Sequence, residues 1–120
     1  YRKKYRDLEQ GDTRMIDTED PLIGVYAHRL LLKAQDSVDM EGRRAPPRHN
    51  GVGVLQVTIR RDGSLEGVRI MEPSGNKDVD DFFIRSVYKT GYVGPLPKKW
   101  PHEKLNLVWV YSAHVMPGSP

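Results

Sequence analysis

The chain has 120 residues, a net charge of +3 from 19 basic and 16 acidic side chains, and no cysteine. That length fits one domain, and without thiols there is no disulfide framework and no zinc–thiolate, iron–sulfur or cysteine-nucleophile chemistry. The charge is too balanced to imply nucleic-acid or membrane binding by itself. The longest aliphatic run, Leu30-Leu31-Leu32, cannot span a bilayer, and no apolar stretch follows the basic start Arg2-Lys3-Lys4-Tyr5-Arg6 as a signal peptide would require. With no initiator Met, the chain reads as a piece of something longer.

Residues 1–19 are polar, with isolated apolar positions at Leu8, Met15 and Ile16, and read as a linker or loosely packed arm on which Met15-Ile16 can dock. The domain proper is expected over 20–115. Asp20 suits an N-cap, Pro21 the first helical position and Glu41-Gly42 a stop. Ile23, Ala27, Leu30, Ala34 and Val38 share one helical face, widened by Leu22, Val25, Tyr26 and Leu31. Pro46-Pro47 then forbids continuation. From Gly51 the period changes to two, with Leu55, Val57 and Ile59 on one face. Arg61-Asp62-Gly63-Ser64 is a hairpin turn, and Leu65 to Glu72 the returning strand, with Val68 and Ile70 facing one way.

Pro73-Ser74-Gly75-Asn76 ends that strand. Val79, Phe82, Phe83, Ser86 and Val87 then form the stripe of a second helix, closed by Thr90-Gly91, with Phe82 and Val87 expected against Leu55, Val57 and Val68. Residues 91–104 read as a loop held open by Pro95, Pro97 and Pro101. Leu105, Leu107, Trp109, Tyr111 and Ala113 alternate along a last strand, and residues 116–120 read as a tail. The order α-β-β-α-β predicts an α+β fold: a three-stranded antiparallel sheet packed with two helices, with two free edges that allow a homodimer.

No catalytic constellation stands out, so the chain is expected not to be an enzyme. His28, His49, His102 and His114 fall on four different elements without ligand spacing. Asp78, Asp80 and Asp81 suit the electrostatics of a helix start. Ser74 lacks a nucleophile-elbow context, and Gly51-Val52-Gly53 opens a strand rather than a helix, so no metal, cofactor or nucleotide site is expected. Arg2-Lys3-Lys4 with Arg6, and Arg43-Arg44 with Arg48, carry no interleaved aromatic platform; a nucleic-acid-binding module is the alternative of another class. What remains is the last strand. It is either packed on both sides or an edge that accepts a partner strand.

From Gly51 onward the chain resembles the C-terminal domain of the TonB/TolA energy transducers, in its TonB-like form. The resemblance rests on Gly51-Val52-Gly53-Val54-Leu55-Gln56-Val57-Thr58-Ile59, Asp62-Gly63-Ser64-Leu65, Val68-Arg69-Ile70, and Pro73-Ser74-Gly75-Asn76 before a helix with Val79-Asp80. Gly94-Pro95-Leu96-Pro97 and Leu105-Asn106-Leu107-Val108-Trp109-Val110 complete it. The upstream helix resembles the family's first helix more loosely. Where the TonB branch has Tyr-Pro after that helix this chain has Ala45-Pro46-Pro47, and its connector to Gly51 is shorter.

The resemblance implies a periplasmic domain of a protein anchored in the inner membrane of a Gram-negative bacterium, the anchor lying upstream. It implies transmission of force derived from the proton gradient to outer-membrane TonB-dependent transporters, with inner-membrane motor proteins as partners of the upstream region. The periplasmic peptide of a transporter would be bound by strand addition at Leu105, Asn106, Leu107, Val108, Trp109, Val110 and Tyr111, with Pro46 nearby, and without cofactor, metal or nucleic acid. A TolA-like envelope-integrity adaptor is the alternative within the family.

Overall fold

The computed structural model describes residues 6–115. The expected tail, 116–120, and the first five residues of the expected arm lie outside them. A 3-10 turn at Arg6–Leu8 is followed by β1 (Thr13–Met15), α1 (Gly24–Arg44), β2 (Gly51–Arg60), β3 (Leu65–Glu72), α2 (Lys77–Tyr88) and β4 (Lys104–Ala113). The strands lie in the order β1-β4-β2-β3. β2 pairs antiparallel with both β3 and β4, whereas β1 runs parallel to β4. The sheet is therefore four-stranded and mixed, not three-stranded and antiparallel. The additional strand comes from the segment expected to be a linker or loose arm. Three residues, Thr13-Arg14-Met15, are too few to show an alternation. The arm nevertheless belongs to the fold, with Met15, Ile16 and Thr18 buried.

Both helices cover one sheet face. Ile23, Ala27, Leu30 and Ala34 of the predicted stripe are buried, as are Leu55, Val57, Ile59, Leu105, Leu107 and Tyr111 beneath them. The helix proper starts later than Asp20 suggested. Residues 21–23 form a turn in which Asp20 accepts the Leu22 N–H at 2.9 Å. Leu22 and Val25 are exposed, Val25 at 75%, so they do not widen the core face as the spacing suggested. At the other end α1 continues through Gly42 and stops before Ala45-Pro46, where proline's missing donor and ring forbid another turn. Gly63 takes φ +90° in the β2–β3 turn, a conformation only glycine enters cheaply.

Along α2, Val79, Phe82, Ser86 and Val87 are buried and Phe83 half-buried. Val87 joins the cluster of Leu55 and Val57, with Val68 packed against it. Phe82 instead sets its ring edge-on to Phe83 and near Gly42 of α1. The helices are also tied by Ser37 Oγ, which donates to the Ser86 carbonyl at 2.6 Å, and by buried Glu41, which accepts from Arg85 and Lys89.

The proline-rich loop is not held open. Trp100 is 1% exposed, its indole N–H donating to the Lys104 carbonyl at 3.0 Å. The Arg61 guanidinium donates to the carbonyls of Pro97, Trp100 and His102. On the other side Tyr26, Arg29 and Lys33, successive on one face of α1, donate to the carbonyls of Gly94, Val93 and Tyr92. Arg14 of β1 lies 5.0 Å over the Trp100 ring and pairs with Asp20 at 2.9 Å, which fastens the arm to this loop.

Candidate partner-binding edge

In a strand, the N–H and C=O of one residue point to the same side and alternate along the chain. The Asn106 N–H donates to the Asp12 carbonyl at 2.8 Å, and the Val108 carbonyl accepts from Ile16 N–H at 2.9 Å. So Asn106, Val108, Val110 and Ser112 direct their main-chain groups away from β2. Leu105, Leu107, Trp109 and Tyr111 direct theirs into the β2 ladder, which runs from Gly51↔Ala113 to Arg60↔Lys104. β1 covers this edge only from Asn106 to Val108. Among the described residues, no main-chain partner faces the outward groups of Val110 and Ser112.

The expected site residues therefore separate. Leu105 and Leu107 are fully buried core, and Tyr111 is buried with its hydroxyl on Asp80 at 2.6 Å. Asn106 is held by Asp12 and accepts from Thr58 Oγ1. Val108 is buried with Met15 and Val54 on the opposite sheet face. Trp109 and Val110 are half-buried. Pro46 is exposed on the connector that leads into Gly51, the ladder partner of Ala113. The open stretch is thus shorter than the expected run and displaced toward its end. Ser112 belongs to it; outward parity from Asn106 would have indicated it, had the covering of Asn106 and Val108 been known.

The remaining edges are defended. The outward N–H groups of Met15 and Thr13 on β1 donate to Glu9 Oε2 at 2.8 Å and to the Gln10 carbonyl at 3.1 Å. Arg14 Nη1 takes the Thr13 carbonyl. At the other side of the sheet, β3 shows two register shifts against β2 and exposes Glu66 and Arg69, features that discourage strand addition.

The acidic residues at the start of α2 each have a structural partner. Asp78 accepts the Arg48 N–H and faces His49 Nδ1 at 2.9 Å. The Arg48 N–H bond, opposed by burial and aided by His49, holds its carboxyl below the ordinary value. Asp80 accepts from Ser74 N–H and Tyr111, and Asp81 from Lys77. His102 lies edge-on to Trp100. Among the described residues no group of three or more His, Asp or Glu could hold a metal ion, and no helix is long and apolar enough to cross a membrane.

A β-β-α-β core with an upstream helix and a glycine-led first strand is the arrangement that the resemblance implied, and the family comparison agrees. Residues 26–108 match the family described as TonB C terminal. The chain belongs to the TonB C-terminal family. No curated protein and no solved structure matched it. The matched range runs from the first turn of α1 to Val108 and leaves out both β1 and the open stretch of β4. TonB C-terminal domains are of a periplasmic type and belong with transport across the outer membrane.

Proposed function

We propose that this TonB C-terminal domain binds the periplasmic peptide of outer-membrane transporters by strand addition along Val110–Ser112, and conveys to them force derived from the proton gradient. The observation that supports this reading is the pair of outward main-chain residues on β4 that no described residue covers, beside a β1 whose own outer edge is capped. Such groups favour an extended chain, because only a strand supplies donors and acceptors at that repeat. Its affinity is modest, since each main-chain bond contributes only about 0.5–1.5 kcal/mol net.

The arrangement also suits load. The upstream chain enters through β1, which lies directly against the strand that takes the partner, and β4 is held to β2 over ten residue pairs. Tension applied at the arm and resisted at β4 crosses one three-residue ladder. The domain carries out no bond chemistry in this reading.

The test is an amide-shift titration with a synthetic peptide copying the periplasmic N-terminal segment of a TonB-dependent transporter. Shifts should concentrate at Val110–Ser112. Ser112→Pro should abolish them, because it deletes an outward donor and leaves the β2 ladder intact. Shifts confined to β3, or to Arg43–Arg48 and lost with added salt, would refute the proposal.

A further inference from the structure

A strand added along Val110–Ser112 would run beside a hollow. A cavity of about 170 Å³ separates α1 from β4, walled by Leu31 and Val38 above, Trp109 and Tyr111 below, and Leu55 and Phe83 at the back. Val110 and Ser112 border it on the sheet side, and the exposed Gln35 and Asp39 stand at its α1 side. Its inner walls are apolar, and its polar borders are the exposed Gln35 and Asp39 on α1 and the main chain of Val110 and Ser112 on β4. The hollow opens to solvent between α1 and the β4 edge, and its volume leaves room for an aliphatic side chain.

Residues directly opposite one another on neighbouring strands project to the same face of a sheet. Tyr111 and Trp109 project toward the helices. A partner residue opposite Tyr111 therefore projects there too, into the gap between Tyr111 and Val38. From this we propose that the hollow is a side-chain pocket for the added strand, and that it selects a leucine-sized aliphatic residue opposite Tyr111. The inference rests on strand addition at this edge, but makes recognition depend on a side chain as well as on main-chain bonds. An acidic residue is disfavoured twice: its charge would lose water against apolar walls, and Asp39 stands at the entrance.

The experiment uses end-blocked peptides Lys-Thr-Thr-X-Thr-Thr-Lys, with X as leucine, glycine or aspartate, titrated into the 120-residue chain while amide and indole resonances are followed. Leucine should bind roughly tenfold or more tighter than glycine, the gain expected for burying such a side chain, and aspartate weaker than glycine. The Trp109 indole signal should move with leucine and stay in place with glycine. Val38→Phe, which fills the hollow, should reduce the leucine peptide to the glycine level and leave the glycine peptide unchanged. The ratio on the unsubstituted chain decides whether or not that variant folds. Equal binding of leucine and glycine, with shifts at Val110–Ser112, overturns the pocket and supports the edge. Failure of every peptide to shift Val110–Ser112 overturns both.

Discussion

The phenol of Tyr111 lies across Gly53, its partner in the β2–β4 ladder. A Cβ on Gly53 would overlap that phenol and stand 2.7 Å from the Glu72 carbonyl oxygen. The space left by the glycine lets the Tyr111 hydroxyl reach Asp80 at 2.6 Å, while its ring packs 4.9 Å from Phe83. One missing side chain thus joins the middle of the sheet to the first turn of α2. Gly53→Ala should cost about 1–3 kcal/mol by overpacking. In a Tyr111→Ala background the same change should cost less, though not nothing, because the Glu72 contact remains. Urea midpoints of the four proteins give the coupling, and strict additivity would show that Tyr111 does not occupy that space.

The interface between the helices should weaken in acid. Hydrogen bonding from Lys89, opposed in part by burial and aided by Arg85, holds the Glu41 carboxyl below the usual carboxylate range. A lowered folded-state value gives stability that is present above the unfolded value, near 4.5, and lost as pH falls through the folded one. Glu41→Gln should be less stable at neutral pH and should show a flatter acid limb between about pH 5 and pH 2. A limb of unchanged slope would assign acid unfolding to other carboxylates.

On the alkaline side Tyr26 is one of two groups that should weaken the fold. Burial, with a smaller contribution from Tyr92 and against Arg29, pushes its hydroxyl up from 10.0 to about 12. A raised value means stability fully present below the unfolded value and lost as pH climbs from there through the folded one, so this loss falls between about pH 10 and pH 12. Tyr26→Phe removes the bond to the Gly94 carbonyl, costing about 0.5–1.5 kcal/mol at pH 7, and should flatten that limb. Some slope should persist, because burial and the Asp80 bond raise Tyr111 as well. Thermal midpoints across the range check both points.

Much of this fold is legible in the sequence because its elements are long enough to repeat. β2 and β4 show several alternations each, and α2 shows two turns of its stripe. The readings that failed concern short or non-periodic segments. β1 has three residues, and its pairing is fixed by contacts remote in sequence, Asn106 with Asp12 and Arg14 with Trp100. Trp100 lies in a loop and is buried through Arg61 and Lys104, which no periodicity marks. The edge inherits the same difficulty. Alternation shows which side chains of β4 meet the helices, but which main-chain groups point outward depends on the side that β2 takes, and which of those remain uncovered depends on the arm.

Trp100 is the side chain through which arm, loop and sheet meet. It is fully buried within the main core cluster, so truncation empties a large site that neighbouring backbone cannot fill. Trp100→Ala should cost about 3–5 kcal/mol. It should also loosen β1, since Arg14 loses the ring it lies over. Faster hydrogen exchange at Arg14 than at Val57 in the variant would report that loosening. Equal changes throughout the sheet would show the arm and core to be one cooperative unit.

The arm and the partner strand share an edge, so displacing one should extend the other. The outward N–H groups of Thr13 and Met15 are taken by Gln10 and Glu9, which leaves Arg14 as the β1 residue whose main chain faces β4. Arg14→Pro deletes that inward donor, the ion pair with Asp20 and the cation over Trp100 together. The β2–β4 and β2–β3 ladders do not run through Arg14, so the domain should stay folded, at a cost of about 1–3 kcal/mol. With β1 released, Asn106 and Val108 join Val110 and Ser112 as outward groups, doubling the main-chain residues open to a partner. At about 0.5–1.5 kcal/mol for each bond gained, the transporter-type peptide should bind roughly tenfold or more tightly. Its amide-shift footprint should lengthen from Val110–Ser112 to Asn106–Ser112. An unchanged footprint and affinity in a variant whose β1 amides exchange freely would show that the partner does not use this edge.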